Sequence, residues 1–225
     1  MNSIFLALEQ LRTQLSQALP ATPGIRHFDV SFPLNDAFDP LAWLGAQQCY
    51  PQFYWQQRNG DEELAALGAV ITFSSLALAT QFLREQNAAG DTRICGLNAF
   101  NPEQGSLFLP RLLWRRTAGT ATLRLQLWSD YSLQEDAHAA RDFLQQLQPA
   151  RPIRPLAVQV EHENHQPQRA EWLKLVRRAT ETIARGDFEK VVLARATDLQ
   201  FTQRINPVAL MAARPRHEEY RPRFH

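Results

Sequence analysis

The stretch FYWQQRNGDEELAALGAVITF, residues 53–73, contains two strand-like runs on either side of Asn59-Gly60. An Asn-Gly pair between two such runs is a strong hairpin signal, because both residue types tolerate positive φ. The stretch therefore predicts an antiparallel hairpin that turns at Asn59-Gly60. Such a hairpin favours a sheet in which strands consecutive in the sequence pair antiparallel, over a sheet of parallel strands joined by crossovers.

Similar patterns surround this hairpin. Asp39-Pro40, Ser75 and Ser132 each have the form of a helix start. Alternating or continuous apolar runs predict further strands at residues 28–32, 93–98, 107–114 and 120–128. In the last of these, one face carries Ala121, Leu123, Leu125 and Leu127. Hairpins followed by covering helices predict an α+β fold with a largely antiparallel sheet, and argue against a doubly wound fold.

Composition excludes some partners. The chain has 225 residues, 44% apolar content and a net charge of +1, so nothing suggests a nucleic acid or an acidic membrane surface as a partner. No G-x-G-x-x-G or Walker loop is present.

The first 19 residues predict an amphipathic helix and not a signal peptide, and no run approaches the roughly 18 apolar residues of a membrane span. Cys49 and Cys95 are isolated and are interpreted as reduced, buried thiols in a cytoplasmic protein.

One basic residue stands out. Of the 24 Lys and Arg residues only Lys174 and Lys190 are lysines, and Lys190 immediately precedes an apolar run predicted to form a strand over residues 191–199. Arginine stays charged, whereas a buried lysine can lose its proton and act as a base. Lys190 is therefore a candidate catalytic residue. The alternative is an ordinary lysine at a strand edge whose ammonium group reaches water.

The chain changes character after residue 147. Residues 148–170 are rich in Pro, Gln, Arg, His and Glu and are interpreted as a connector between an N-terminal α+β region, residues 1–147, and a further segment, residues 171–213. Inside the connector, Glu161-His162-Glu163-Asn164-His165 could resemble a metal site. We interpret it as a solvated loop, because no helix directs the two imidazoles toward one ion.

The segment after the connector carries a family resemblance. Residues 172–195, written W-L-x-L-V-x-x-A-x-x-x-I-x-x-G-D-F-E-K-V-V-L-A-R, resemble the opening of the catalytic domain in chorismate-utilising enzymes. Four upstream stretches are similar, within that family, to the isochorismate synthases of bacterial menaquinone synthesis: residues 21–26, 50–63, 96–100 and 109–112. The resemblance covers residues 1–213. It implies that residues 171–213 begin the chorismate-binding catalytic domain of an incomplete chorismate-utilising-enzyme fold.

The resemblance implies an isomerase that converts chorismate to isochorismate with Mg²⁺. In such enzymes the lysine matching Lys190 activates a water that attacks C2 of chorismate, and a glutamic acid protonates the departing C4 hydroxyl. Further glutamates hold the Mg²⁺. Lys190 is the single catalytic residue predicted in this chain, and no metal-binding or other cofactor-binding residue is predicted. The alternatives are a salicylate synthase of the same family and a non-catalytic binding or scaffold fragment.

Residues 214–225 depart from the family pattern. They hold four Arg, two Pro and two His but no aliphatic residue, which predicts an aberrant basic tail. We expect a truncated or frameshifted reading frame, with a genuine basic arm as the alternative. The partner acid and the Mg²⁺ ligands would then lie beyond Ala213, and the chain as given is expected to be inactive.

Overall fold

The computed structural model describes residues 3–33, 38–87, 92–101 and 103–213. These residues divide into two compact units, residues 3–153 and residues 154–213. The predicted basic tail, residues 214–225, lies outside the described residues. None of the helices in the described part of the chain is both long and apolar enough to cross a bilayer.

The first unit is built on a six-stranded sheet. Its strands are β1 (Gly24–Pro33), β2 (Gln52–Gln56), β3 (Glu62–Phe73), β4 (Cys95–Asn98), β5 (Gly105–Thr117) and β6 (Thr120–Ser129). The order across the sheet is β1-β6-β5-β3-β2, and β4 pairs with β5 at one end. Every pairing is antiparallel. The predicted α+β class with a largely antiparallel sheet is confirmed.

Helices cover this sheet. They are α1 (Ser3–Leu15), α2 (Pro40–Ala46), α3 (Leu76–Glu85) and α4 (Leu133–Gln146). The main core joins α1, α2 and α4 to the strands, and its members include Leu11, Trp43 and Leu144. The predicted inner face of β6 belongs to this core and is fully buried: Ala121, Leu123, Leu125 and Leu127. Burial of this apolar face holds α1, α2 and α4 on the sheet.

The helix starts predicted from the sequence carry side-chain caps. Asp39 accepts hydrogen bonds from the backbone N–H groups of Leu41 and Ala42, at 2.9 and 3.1 Å. Ser75 and Ser132 accept in the same way at the starts of α3 and α4. Each cap satisfies a backbone donor that has no partner inside the helix, so these local signals could be read from the sequence alone.

The β2–β3 hairpin turns where the sequence predicts. The backbone N–H of Gly60 donates to the carbonyl of Gln57 at 2.9 Å, and the N–H of Gln57 donates to the carbonyl of Glu62 at 2.8 Å. Gly60 has a φ of +81°, which lies in the left-handed region. A Cβ at Gly60 would meet no atom within 4 Å, so the glycine is required by backbone conformation and not by space.

We expect Gly60→Val to lower the free energy of unfolding by about 1 kcal/mol or more, since a β-branched residue is strained at positive φ. Gly60→Asn is the matched control, because asparagine tolerates this region and should cost less. Chemical denaturation of the three proteins measures the difference. Equal denaturation midpoints for the Val variant and the wild type would refute the turn assignment.

The second unit contains β7 (Val160–Gln166), α5 (Arg169–Ala184), β8 (Ala196–Phe201) and α6 (Pro207–Ala212). The strands β7 and β8 form a two-stranded antiparallel sheet. Residues 161–165, interpreted from the sequence as a solvated loop, are therefore part of a strand, although four of the five are exposed. Polar residues on both faces of a two-stranded ribbon leave no alternation by which the strand could be predicted.

The predicted strand over residues 191–199 is wrong at its start. The strand β8 begins at Ala196, and residues 188–195 have no regular secondary structure. In the register of the ribbon, Ala196 lies opposite Gln166, and Pro167 follows. Proline has no N–H to donate, so β7 ends there and residues before 196 have no described neighbouring strand to pair with.

Burial differs sharply between the two units. Among the described residues 154–213, only Ala209 is buried, whereas the other buried hydrophobic residues all lie in the first unit. A unit of this size needs a buried apolar core to offset the conformational entropy of folding. The first unit has such a core, and the second, as described, does not.

Candidate functional site

Lys190 lies between α5 and β8. Gly186, with a φ of +81°, ends the helix in the left-handed conformation, and its N–H donates to the carbonyl of Ile183 at 2.9 Å. The backbone then runs without regular structure to Ala196, and Lys190 is exposed within this segment. The structure thus places the predicted catalytic lysine on a connection and not at the start of a strand.

The apolar residues beside Lys190 are exposed as well. Val192 is 81% exposed, and Phe188 and Val191 are also exposed. An apolar enclosure is what would favour the neutral, basic form of a lysine. The described residues do not supply that enclosure around Lys190, so its role as a base remains a prediction.

Acidic and metal-binding groups do not gather around the lysine. Over the part of the chain that the structure describes, no group of three or more His, Cys, Asp and Glu side chains could hold a metal ion. The described residues therefore do not fit the Mg²⁺ that the family resemblance implies. Glu189 is adjacent in sequence but exposed.

One histidine of β7, His165, takes part in contacts within the ribbon. The Nδ1 atom of His165 lies 2.9 Å from the hydroxyl of Thr197 on β8, and its Nε2 atom lies 3.7 Å from a carboxylate oxygen of Glu163. The first contact joins β7 to β8, and the second lies within β7. A nearby concave surface is lined by Ala157, Val158, Gln159, Thr202 and Gln203, and it includes neither Lys190 nor a titratable side chain.

A network of charges lies on the β2–β3–β5 part of the first unit. The hydroxyl of Tyr54 donates to Glu63 at 2.6 Å, and the Nε atom of Arg116 lies 2.9 Å from the other carboxylate oxygen of Glu63. Burial is the main cause that raises the pKa of Tyr54 well above its ordinary value, and the Glu63 carboxylate is the second cause. Glu63 and Arg116 are direct cross-strand partners. These contacts therefore help to fix the register of β3 against β5. No local sequence signal predicts them, because the paired residues are far apart in the sequence.

The two cysteines differ in exposure. Cys95 is buried and Cys49 is half-buried, which corrects the prediction that both thiols are buried. Burial raises the pKa of Cys95 to about 12 and also raises the pKa of Cys49. Because the thiolate is the nucleophile, both effects slow alkylation, and they act most strongly at Cys95.

We expect iodoacetamide at pH 8 to modify Cys49 in the native chain and to modify Cys95 only when the first unit unfolds. Mass mapping of the labelled peptides with and without denaturant measures this, and Cys49→Ala isolates the slower site. Because the pKa of Cys95 is higher in the folded chain than in the unfolded chain, the folded chain binds the thiol proton more tightly. The free energy of unfolding should therefore fall as the pH rises from about 9 toward 12. Labelling of Cys95 at the rate of a free thiol would contradict its placement on β4.

Comparisons with known proteins identify the class of fold. A family model described as "Chorismate binding enzyme" matches residues 97–224, more than half of the chain. The chain belongs to this family of chorismate-binding enzymes. The match begins in β4, inside the first unit, and runs through the segment that carries Lys190.

The relatives compared with this chain are named as isochorismate synthases. The chain is 55% identical over 213 residues to isochorismate synthase MenF of Escherichia coli K12, covering 95% of this chain and 49% of that protein. It is 31% identical to the Pasteurella multocida MenF over 158 residues, covering 70% of this chain and 35% of that protein. A solved structure of E. coli MenF, described as the menaquinone-specific isochorismate synthase, matches with a TM-score of 0.86, covering 94% of this chain and 50% of that chain. The chain thus spans about half the length of these relatives.

Proposed function

We propose that the chain supplies part of an isochorismate synthase, an isomerase that converts chorismate to isochorismate in menaquinone synthesis. The observation that carries the proposal is the 55% identity to the E. coli enzyme over 95% of this chain. All the relatives compared are named as isochorismate synthases, which favours this activity over the salicylate synthase alternative.

In the proposed reaction, water adds at C2 of the substrate and the hydroxyl at C4 leaves. The neutral amine of Lys190 would take the proton from the attacking water, which makes its oxygen nucleophilic. The departing hydroxide must receive a proton from an acid. We assign that acid to no described residue. We place the Mg²⁺ ligands outside the described residues, because no group of three or more metal-binding side chains lies among them.

The exposure of Lys190 bears directly on this proposal. Lys190 is exposed among the described residues, so its proposed role requires an enclosing surface that the rest of the family fold would supply. The chain alone, with the second unit as described, fits the non-catalytic alternative. The same chain combined with the rest of the family fold fits the isochorismate synthase.

A chimera tests the proposed function. Residues 1–213 are joined in one polypeptide to the part of E. coli MenF that this chain does not cover, and isochorismate is measured with chorismate and Mg²⁺ in excess. We expect turnover by the chimera and none by the 225-residue chain alone. A folded chimera without turnover would contradict the proposed function, and turnover by the chain alone would show that it is a complete catalyst.

A further inference from the structure

The connector begins with a three-residue repeat. Residues 149–156 read P-A-R-P-I-R-P-L, so that proline returns at every third position. A polyproline II helix has three residues per turn, and in that conformation residues three apart lie along one edge. The repeat then gives a proline edge, an arginine edge and an apolar edge: Pro149, Pro152 and Pro155; Arg151 and Arg154; Ala150, Ile153 and Leu156. We call residues 149–156 the proline segment.

The local backbone favours this conformation. Residues 147–159 have no regular secondary structure, and Leu147, just before the segment, has φ −66° and ψ 135°, close to polyproline II values. Proline holds φ near −65°, and a residue that precedes proline is restricted to extended conformations. Six of the eight residues 148–155 are a proline or precede one. The segment is therefore stiff, and a partner that binds it removes little conformational entropy.

A buried glutamine fixes the start of the segment. The side-chain Nε2 of Gln47 donates to the carbonyl of Gln148 at 2.8 Å, and its Oε1 accepts from the N–H of Gln148 at 2.9 Å. Gln47 is only 3% exposed, and its Nε2 also donates to the carbonyl of Trp43 at 2.7 Å. The segment thus leaves the first unit from a point that is held on both sides of one residue.

Two of the three edges are open to solvent. All three residues of the proline edge and both residues of the arginine edge are exposed. On the apolar edge, by contrast, Ile153 and Leu156 are half-buried. The prolines and the guanidinium groups are therefore available together to a partner, while the apolar edge is the one turned partly away from water.

We infer that residues 149–154, which read P-x-x-P-x-R, are a docking segment for a protein whose groove is lined by aromatic side chains beside an acidic pocket. Pro149 and Pro152 pack against the aromatic walls, as in other complexes of proline-rich segments. Arg154 enters the acidic pocket, where its planar guanidinium can donate two hydrogen bonds to one carboxylate. This interaction goes beyond the proposed isomerase activity and requires neither Lys190 nor a substrate.

The test titrates the 225-residue chain with an isolated SH3 domain that binds P-x-x-P-x-R peptides and has an acidic pocket beside its aromatic groove. We expect saturable 1:1 binding by calorimetry, which gives the Kd. Pro152→Ala and Arg154→Ala should each weaken binding by at least about tenfold, because the first removes a ring from the groove and the second removes a charge-assisted hydrogen bond. Both residues are exposed, so neither change removes a packed contact.

Pro20→Ala and Arg58→Ala are the matched controls. Both residues are exposed in the first unit and lie outside its helices and strands, so both changes should leave the Kd unchanged. Failure of the SH3 domain to bind the unaltered chain would overturn the inference, as would equal Kd values for the segment and control variants. Weakening by Arg154→Ala without weakening by Pro152→Ala would also overturn it, because charge attraction alone would then explain the binding. None of these outcomes depends on isochorismate formation, so the proposed function stands or falls separately.

Discussion

In the single-chain chimera, Lys190→Ala lowers kcat by a factor of about 10²–10⁴, the usual contribution of a positioned general base. Binding of chorismate with Mg²⁺ should stay nearly unchanged, because substrate binding and proton transfer use different groups. Steady-state kinetics measure kcat, and titration with chorismate measures binding. The expected result is a loss in kcat with little change in the dissociation constant.

The chain offers a natural control for this substitution. Lys174 is its one other lysine, and it lies exposed on α5. Lys174→Ala should leave kcat and binding at the level of the parent chimera. Turnover by the Lys190→Ala chimera equal to that of the Lys174→Ala chimera would remove Lys190 from the mechanism.

The second large effect concerns the stability of the first unit. Arg111 on β5 donates two hydrogen bonds of 2.6 Å to the carboxylate of Asp136 on α4, and the two side chains are only 9% and 13% exposed. Arg111 also donates to the carbonyl of Gln126, and Asp136 accepts from the backbone N–H of Trp128, both at 2.9 Å. The ion pair thus ties the covering helix to β5 and β6.

We expect Asp136→Ala to lower the free energy of unfolding by about 3–5 kcal/mol, because it leaves the Arg111 guanidinium buried without its carboxylate. Asp142→Ala is the matched control on the same helix. Asp142 is exposed, so its loss should change stability by no more than about 0.5 kcal/mol. Urea denaturation followed by tryptophan fluorescence measures both. A shift for Asp136→Ala as small as that for Asp142→Ala would show that the buried pair does not hold the helix to the sheet.

What the sequence predicts correctly is local. The Asn59-Gly60 turn, the caps at Asp39, Ser75 and Ser132, and the buried face of β6 all depend on residues within a few positions of one another. Each therefore leaves a signal in a short window of sequence.

What the sequence does not predict depends on distant partners. Arg111 and Asp136 are 25 residues apart and meet only because α4 folds back over the sheet. The apolar run after Lys190 has strand composition, but a strand needs a neighbour, and β7 ends at the residue before Pro167. The residue type and position of Lys190 made it a candidate and the family resemblance gave it a role, whereas its exposure became visible only in the structure.

The first unit has a core of its own on which it can fold, whereas the second unit, as described, has none. Native-state hydrogen exchange on the 225-residue chain tests this difference most directly. We expect amides of β5 and β6 to exchange at least about 1,000-fold more slowly than amides of α5 and β8, since only the former are protected up to global unfolding. Protection of α5 and β8 equal to that of β6 in the isolated chain would contradict the claim.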